Sequence, residues 1–204
     1  FPFIGLVVSG GHTSLVFCED AGKFKLLGQT KDDAAGEAFD KVAKVLGLGY
    51  PGGPAIERAA RQGDPYAIKF APAYLGENSY DFSFSGIKTA VLYYIKAHRL
   101  NRKVIADIAA GFQKAVVDCL IAKSIDACKA KGVASLVVGG GVGANILLRQ
   151  DLTREGRANG IDVIFPSFEL SLDNAAMVAA MGYRLFKGRV RSRSGLSAEP
   201  NLRI

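Results

Sequence analysis

The stretch FIGLVVSGGHTSLVFC, residues 3–18, sets the fold of this chain. Two apolar runs flank a Ser-Gly-Gly-His turn, and this pattern predicts two antiparallel strands joined by a glycine hairpin. Because glycine has no Cβ, the backbone amides of such a turn can approach a phosphate group closely. An ordinary tight turn would have the same sequence pattern, so the hairpin alone leaves both interpretations open.

A second glycine-rich loop, GGGVGAN at residues 139–145, follows an apolar run that ends at Val138. The loop opens toward a predicted helix that begins at Ile146, and the positive end of a helix dipole attracts anions. Asn145 could hydrogen-bond a base or a phosphate, but it is equally suited to capping this helix. Two such loops in one chain favour a nucleotide held between them.

The rest of the chain alternates predicted strands and helices. Asp32 and Asp33 are predicted to cap the first helix, and the order strand, helix, strand, helix after Val133 predicts parallel strands covered on both faces. We therefore expect an α/β fold whose mixed sheet begins as an antiparallel meander and ends parallel. Strands are predicted at residues 24–27, 135–138 and 163–165, and helices at residues 35–46, 55–62, 87–97, 104–130, 146–159 and 175–186.

Three segments are expected along the chain. Residues 1–30 form the strands and the phosphate hairpin, residues 31–132 form a largely helical region that contacts the substrate, and residues 133–204 form the parallel segment with a basic tail.

The composition describes a chain that can bury a core, with 204 residues, 49% of them hydrophobic. The longest apolar runs have the length of a strand and are too short to span a membrane. Three widely spaced cysteines, Cys18, Cys119 and Cys128, indicate neither a disulfide framework nor a zinc ribbon. We expect a cytoplasmic protein.

The formal net charge of +7 favours a polyanionic partner. Cations cluster around residues 98–103 and in the tail, where Arg189, Arg191 and Arg193 lie. A solvated basic surface is the alternative interpretation.

Two carboxylates flank the turn Pro51-Gly52-Gly53-Pro54 on consecutive predicted helices. Asp40 and Glu57 could accept hydrogen bonds from the two hydroxyls of a ribose, because an ionised carboxylate only accepts. The alternative for Asp40 is a helix-surface ion pair with Lys44, four residues on.

Two further polar motifs have a structural and a chemical interpretation. Asp173 could cap the last helix, or it could bind a metal at the carboxyl edge of the sheet. His12 and His98 are not spaced as a ligand pair, so the chain does not supply a complete metal site. Ser85 could cap the helix that follows it, with Lys88 placed over an anion.

Six ordered blocks cover nearly the whole chain and together closely resemble the bacterial TsaD (Gcp) family. They are VSGGHT at 8–13, DDAAGEAFDK at 32–41, YPGGP at 50–54, DFSFSGIKT at 81–89, GGVGAN at 140–145 and DNAAM at 173–177. The resemblance implies the two-lobed fold of actin, Hsp70 and sugar kinases. It also implies transfer of a threonylcarbamoyl group from threonylcarbamoyl-AMP to the exocyclic amine of the adenosine next to the anticodon, in tRNAs that read ANN codons.

The resemblance also implies roles for individual residues, none of them a catalytic side chain. Asp173 would be a ligand of one divalent metal, iron or zinc, completed by a His-x-x-x-His pair expected upstream of Phe1 together with an N-terminal lobe. Substrate would be bound by Val7, Val8, Ser9, Gly10 and Gly11 in the first loop, by Asp40, Gly53 and Glu57 at the nucleoside, and by Asn145 in the second loop.

The implied partners are tRNA and subunits of the TsaB and TsaE type, with Arg189, Arg191 and Arg193 as possible tRNA contacts. We expect the 204 residues alone to have little or no activity. Two alternatives are an ATP-dependent sugar or acetate kinase of the same superfold and a non-catalytic nucleotide-binding scaffold. A metallopeptidase is disfavoured because the chain contains no His-Glu-x-x-His helix.

Overall fold

A five-stranded mixed sheet forms the centre of the structure, a computed structural model that describes residues 1–72, 75–76, 79–190 and 197. The strand order is β3-β2-β1-β4-β5. The first three strands pair antiparallel, whereas β4 pairs parallel with β1 and β5 pairs parallel with β4, as the sequence predicts. The strands are β1 Phe3–Val8, β2 Thr13–Asp20, β3 Lys23–Gln29, β4 Ser135–Gly139 and β5 Asp162–Ile164.

Within the described ranges, six α-helices follow the predicted order, and their ends differ from the prediction by a few residues. The clearest difference is at the second helix, which begins at Gly52 directly after Pro51, where a turn extending to Pro54 was expected. A proline next to a helix start is favourable because its missing N–H has no partner there in any case. The helices are α1 Ala35–Val45, α2 Gly52–Ala60, α3 Ser85–Ala97, α4 Arg102–Lys131, α5 Ile146–Ala158 and α6 Ala175–Lys187.

One face of the sheet is buried along its central strands. Alternate residues of β1, β2 and β4 lie on this face, because successive side chains of a strand point to opposite sides. They belong to one apolar core with the helices, in which Phe39 of α1 meets Phe112 of α4 edge to face at 5.2 Å between ring centroids. Burying each such side chain contributes roughly 1.5–3 kcal/mol.

The opposite face is only partly covered, so the prediction of cover on both faces is wrong for the described residues. Phe24 of β3 and Ile164 of β5 lie on this face and are 52% and 47% exposed. Helix α6, the last helix of the predicted strand-helix-strand-helix segment, has no buried residue. Apolar strand residues predict that a face needs cover, but they do not predict which element supplies it.

The prediction that Asp32 caps α1 is also wrong, because its carboxylate accepts hydrogen bonds from N–H groups at the start of a different helix. One carboxylate oxygen of Asp32 accepts hydrogen bonds from the backbone N–H groups of Phe84 (2.9 Å) and Ser85 (3.2 Å), at the start of α3. The other oxygen accepts the Ser83 hydroxyl. Asp32 therefore caps a helix that begins about fifty residues further along the chain, and Ser85 does not supply the cap.

The first N–H groups of α1 find acceptors in the glycine hairpin instead. Ala35 N donates to Thr13 Oγ1 at 2.9 Å, and Gly36 N donates to the Ser9 carbonyl at 3.1 Å. Helix α1 is thereby fixed directly against the turn between β1 and β2.

The three cysteines are free, and Cys119 and Cys128 are buried in the core. Burial raises the pKa of Cys119 and of Cys128 to about 11. Both thiols are therefore protonated at neutral pH, which agrees with a packing role. Within the described residues, none of the helices combines the length and the hydropathy that crossing a bilayer requires.

Asp33 joins α1 to α3 through two lysines, Lys41 at 2.7 Å and Lys88 at 2.8 Å. Partial burial alone would raise the pKa of the Asp33 carboxyl, but the hydrogen bonds and charges of both lysines outweigh it and hold the pKa below its usual value. A lowered pKa in the folded state stabilises the fold above the unfolded-state pKa of about 3.9. This contribution is lost as the pH falls through the folded-state pKa.

We predict that Asp33→Asn lowers the free energy of unfolding at pH 7 by about 1 kcal/mol, a value reduced for the exposure of Lys41. The variant should also lose less stability than the parent between about pH 5 and pH 2. Urea denaturation across this pH range measures both effects. Asp126→Asn is the matched control, because Asp126 is exposed and has no ion pair among the described residues. Parallel acid profiles for Asp33→Asn and the parent would refute the prediction.

Candidate functional site

A cavity of about 800 Å³ opens where the two glycine loops meet helices α1 and α2. Its wall combines backbone of the loops, carboxylates and arginines of the helices, and apolar side chains from the segment after β5. The lining residues are Gly10, Gly36, Phe39, Asp40, Tyr50, Pro51, Gly53, Pro54, Glu57, Arg58, Arg61, Gly141, Val142, Ala144, Asn145, Ile146, Phe168 and Leu172.

The two glycine loops are neighbours because β1 and β4 pair in parallel and end together, with Val7 opposite Gly139. Gly140 has φ +97°, and a Cβ there would lie 2.3 Å from the Val8 carbonyl oxygen. Only glycine adopts this backbone conformation at so close an approach without strain. The predicted juxtaposition of the two loops is therefore present in the structure.

The hairpin contributes less of the wall than its sequence suggests. Of residues 7–11 only Gly10 lines the cavity, whereas Val8 is fully buried beneath it. Ser9 Oγ accepts hydrogen bonds from the N–H groups of Gly11 at 3.3 Å and His12 at 3.0 Å. The Ser9 hydroxyl thus satisfies two amide donors of the turn and holds its shape.

The carboxylate of Asp40 faces the cavity from α1 and also fastens the next helix. Its Oδ1 accepts the N–H of Gly52 at 2.7 Å, which satisfies one of the free donors at the start of α2. The alternative ion pair with Lys44 is not formed. Oδ2 accepts no hydrogen bond from the described residues, and Asp40 is one of the residues that line the cavity.

Glu57, on α2, also lines the cavity. Its Oε1 pairs with Arg61 at 3.2 Å, and its Oε2 accepts the N–H of Ile146 at 3.3 Å. The second bond joins α2 to the start of α5. Gly53, which lies between Asp40 and Glu57 in the sequence, also lines the cavity.

Asn145 has the capping role that the sequence left open. Its Oδ1 accepts the N–H of Leu148 at 3.0 Å, and its amide nitrogen donates to Gln113 Oε1 at 3.1 Å. Sequence reasoning missed Gln113, although a glutamine beside Phe112 within an apolar helix is a signal for a buried polar contact. The pair fixes the second glycine loop to α4.

The motif at residues 81–89 is not part of the cavity wall. Lys88, which was predicted to face an anion, pairs with Asp33 instead. The motif therefore joins α3 to α1 and does not line the candidate site.

Sequence reasoning also missed the apolar part of the wall. Tyr50 and Pro51 line one region of it, and Phe168 and Leu172 line another. The sequence offers a weak signal, since apolar side chains in a short loop after β5 have no regular period to place them.

The comparison with known proteins decides the family. The sequence matches the family described as TsaD, tRNA N6-adenosine threonylcarbamoyltransferase, over residues 1–180. The chain belongs to this family.

Curated TsaD relatives agree with this membership. Proteins named tRNA N6-adenosine threonylcarbamoyltransferase from Clostridium perfringens strain SM101 and Clostridium kluyveri strain ATCC 8527 are each 50% identical over 206 residues, and one from Clostridium botulinum strain 657 is 51% identical over 209 residues. Each match covers all of this chain and 60% of the relative. The chain therefore spans about 60% of the length of these relatives.

Solved structures support the fold class predicted from the TsaD resemblance. Full-length HypF in the phosphate- and nucleotide-bound form aligns with a TM-score of 0.70 and 16% identity, over 94% of this chain and 41% of that protein. HypF from T. kodakarensis aligns with a TM-score of 0.61 and 20% identity, over 82% of this chain and 21% of that protein. At these identities the likeness concerns the fold alone.

Asp173, the metal ligand that the TsaD resemblance implies, is exposed and follows Leu172 of the cavity wall. Asn174, and not Asp173, caps α6 by accepting the N–H of Met177 at 3.0 Å. No group of three His, Cys, Asp or Glu side chains within the described ranges could hold a metal ion. Asp173 is therefore not part of such a group among the described residues.

We predict that Asp40→Ala lowers the free energy of unfolding by about 1 kcal/mol, because α2 loses the acceptor for the Gly52 N–H. Asp40→Asn should cost much less, since its carbonyl oxygen can accept the same hydrogen bond. Urea denaturation of both variants measures the difference, with Lys44→Ala as the control for the ion pair that is absent. Equal losses for Asp40→Ala and Asp40→Asn would contradict the capping role.

Proposed function

We propose that the full-length protein transfers a threonylcarbamoyl group from threonylcarbamoyl-AMP to the exocyclic amine of the adenosine next to the anticodon of tRNA. The observation that supports this most is the cavity in which both glycine loops of a TsaD family member meet the Asp40 and Glu57 carboxylates. The names of the curated relatives agree with this activity.

The AMP part of the donor would occupy this cavity. Asp40 Oδ2 would accept hydrogen bonds from the ribose, and Glu57 on the neighbouring helix would do the same. Gly10 and Gly141 would bring backbone amides toward the phosphate, where a glycine turn and a helix start favour negative charge. Val7, Val8, Ser9 and Gly11 would act through the shape of the hairpin, and Gly53 and Asn145 through the adjoining wall.

The proposed transfer forms a bond from the amine nitrogen to the carbamoyl carbon and breaks the bond from that carbon to the phosphate oxygen of AMP. The amine loses one proton, and AMP leaves with the bonding electron pair. The chain would contribute mainly by holding the two reactants in position and by stabilising charge on the leaving phosphate. No side chain is assigned as a general base.

We further propose that Asp173 is one ligand of a divalent metal, iron or zinc, in the full-length protein. The described residues offer no second and third ligand beside it. For that reason no step of the transfer is assigned to the metal.

The transfer assay uses the full-length protein, the partner subunits of the TsaB and TsaE type, tRNA and threonylcarbamoyl-AMP. We expect Asp40→Asn to weaken AMP binding about tenfold and to reduce transfer, although it keeps the cap of α2. Replacing Lys44 by Ala is the control and should change neither quantity. Unchanged transfer in Asp40→Asn and Asp40→Ala would favour a scaffold role, and phosphoryl transfer from ATP to a small alcohol would favour a kinase.

The 204-residue chain, assayed alone under the same conditions, is expected to bind AMP weakly and to turn over little or nothing. The physical reason is that Asp173 is the one metal ligand proposed within the described residues, and that one sheet face is only partly covered. Turnover close to that of the full-length protein would refute this expectation.

We propose the basic tail as a contact with the tRNA backbone. Arg189 is exposed, whereas Arg191 and Arg193 lie outside the described residues. Each phosphate contact adds roughly 0.7–0.9 to the slope of log affinity against log salt concentration.

We predict that changing Arg189, Arg191 and Arg193 together to Ala lowers the salt slope of tRNA binding by about two to three. Filter binding at several salt concentrations measures the slope. The matched control changes Lys44, Lys129 and Arg157 to Ala, because these cations are exposed and have no ion pair among the described residues. Equal slopes for the parent and the tail variant would exclude the tail as a contact.

A further inference from the structure

Arg149, on α5, connects the second glycine loop to the segment that follows β5. Its Nε donates to the Gly143 carbonyl oxygen at 2.7 Å. Its Nη2 donates to the Pro166 carbonyl oxygen at 2.8 Å and to Ser171 Oγ at 3.0 Å. One side chain thus holds three groups that lie up to 28 residues apart in sequence.

The guanidinium of Arg149 also packs against two aromatic rings. Its Cζ lies 4.8 Å from the ring centre of Phe165 and 4.2 Å from that of Phe168. A cation over an aromatic ring contributes roughly 0.5–2 kcal/mol, depending on its exposure to water. Phe168 lines the cavity, so Arg149 supports the cavity wall without lining it.

Arg149 has no carboxylate partner among the described residues. Burial lowers the pKa of its guanidinium, but the group stays charged at neutral pH. Its charge is therefore offset by carbonyl oxygens, a hydroxyl and two rings. Lysine could not replace it, because a single ammonium cannot donate in these directions and stack flat on the rings together.

The segment at residues 166–172 depends on these contacts because it buries little apolar surface. Phe168, Leu170 and Leu172 are each more than half exposed. Ser171 is the buried anchor of the segment, and its hydroxyl also donates to the Ser167 carbonyl at 3.0 Å. Asp173 follows this anchor by two residues.

We propose that Arg149 is a positioning residue for the nucleotide site. It holds the segment at residues 166–172 against the second glycine loop, and so sets both the Phe168 wall of the cavity and the place of Asp173. This inference rests on the proposed function, because it takes the cavity to be the site of the AMP part of the donor.

The test compares Arg149→Lys and Arg149→Gln with the parent in the full-length protein. The probes are AMP, for the dissociation constant, and threonylcarbamoyl-AMP with tRNA, for KM and kcat. We expect both variants to raise the Kd of AMP and the KM for threonylcarbamoyl-AMP about tenfold, and to leave the KM for tRNA unchanged. Arg154→Lys and Arg154→Gln are the controls, since Arg154 lies on the same helix and pairs only with Asp151 and Glu155 among the described residues.

If the Arg149 variants do not fold, a variant of one of the groups that Arg149 contacts still tests the positioning role. Ser171→Ala removes one acceptor of Arg149 and should raise the Kd of AMP two- to threefold. If Arg149→Lys does fold, its double variant with Ser171→Ala should show a combined effect smaller than the sum of the two single effects, because both act through one contact.

The outcomes separate the inference from the proposed function. An AMP affinity within twofold of the parent in both folded variants, or full recovery in Arg149→Lys, would overturn the positioning role while transfer by the parent stands. Weakened AMP binding in the variants of a parent that transfers no threonylcarbamoyl group would support the positioning role and overturn the proposed function. A parent that binds no AMP would overturn both.

Discussion

The cavity depends on a backbone contact between the ends of β1 and β4. Gly140 packs against the Val8 carbonyl so closely that a Cβ would lie 2.3 Å from that oxygen, and its φ of +97° is itself unfavourable for other residues. This contact places the second glycine loop next to the hairpin that joins β1 to β2. The start of α5 follows at once, which places the Ile146 N–H beside Glu57 of α2. The backbone contact thus fixes the two loops relative to each other, and the Glu57 carboxylate joins α2 to the start of α5.

The polar residues of the site each join two elements before any ligand is present. Asp40 uses one oxygen for the start of α2, Glu57 bonds the start of α5, and Asn145 uses both ends of its amide for α4 and α5. Such side chains are already held in one orientation, so binding costs less ordering entropy. The same arrangement means that an alanine at any of these positions removes a structural hydrogen bond in addition to the ligand contact that we propose. Conservative replacements such as Asp40→Asn are therefore the informative ones.

The local part of the fold could be predicted from the sequence, and the partners of its polar side chains could not. The hairpin and the mixed sheet follow from strand-length apolar runs around glycine turns, which are local signals. Asp32 satisfies the local rule for a cap of α1, yet it caps α3. The reason is tertiary: Thr13 and Ser9 already accept the first N–H groups of α1, whereas α3 begins after Phe84, which has no side-chain acceptor. Likewise, the sequence shows Asp173 near the sheet edge but not the Arg149 contacts that hold the adjoining segment.

The two sides of this site are held in place by different interactions. On the side of β1, α1 and α4, apolar burial holds the elements, and this force is strong but not directional. On the side of Phe168 and Asp173, little surface is buried and α6 has no buried residue, so position depends on directional bonds from Arg149 and Asn174. Hydrogen bonds fix angles and distances more narrowly than burial does, although each stabilises the fold only by roughly 0.5–1.5 kcal/mol. Substitutions on the side of Phe168 and Asp173 should therefore change the shape of the cavity wall well before they destabilise the core, whereas substitutions on the side of β1, α1 and α4 should destabilise the core directly.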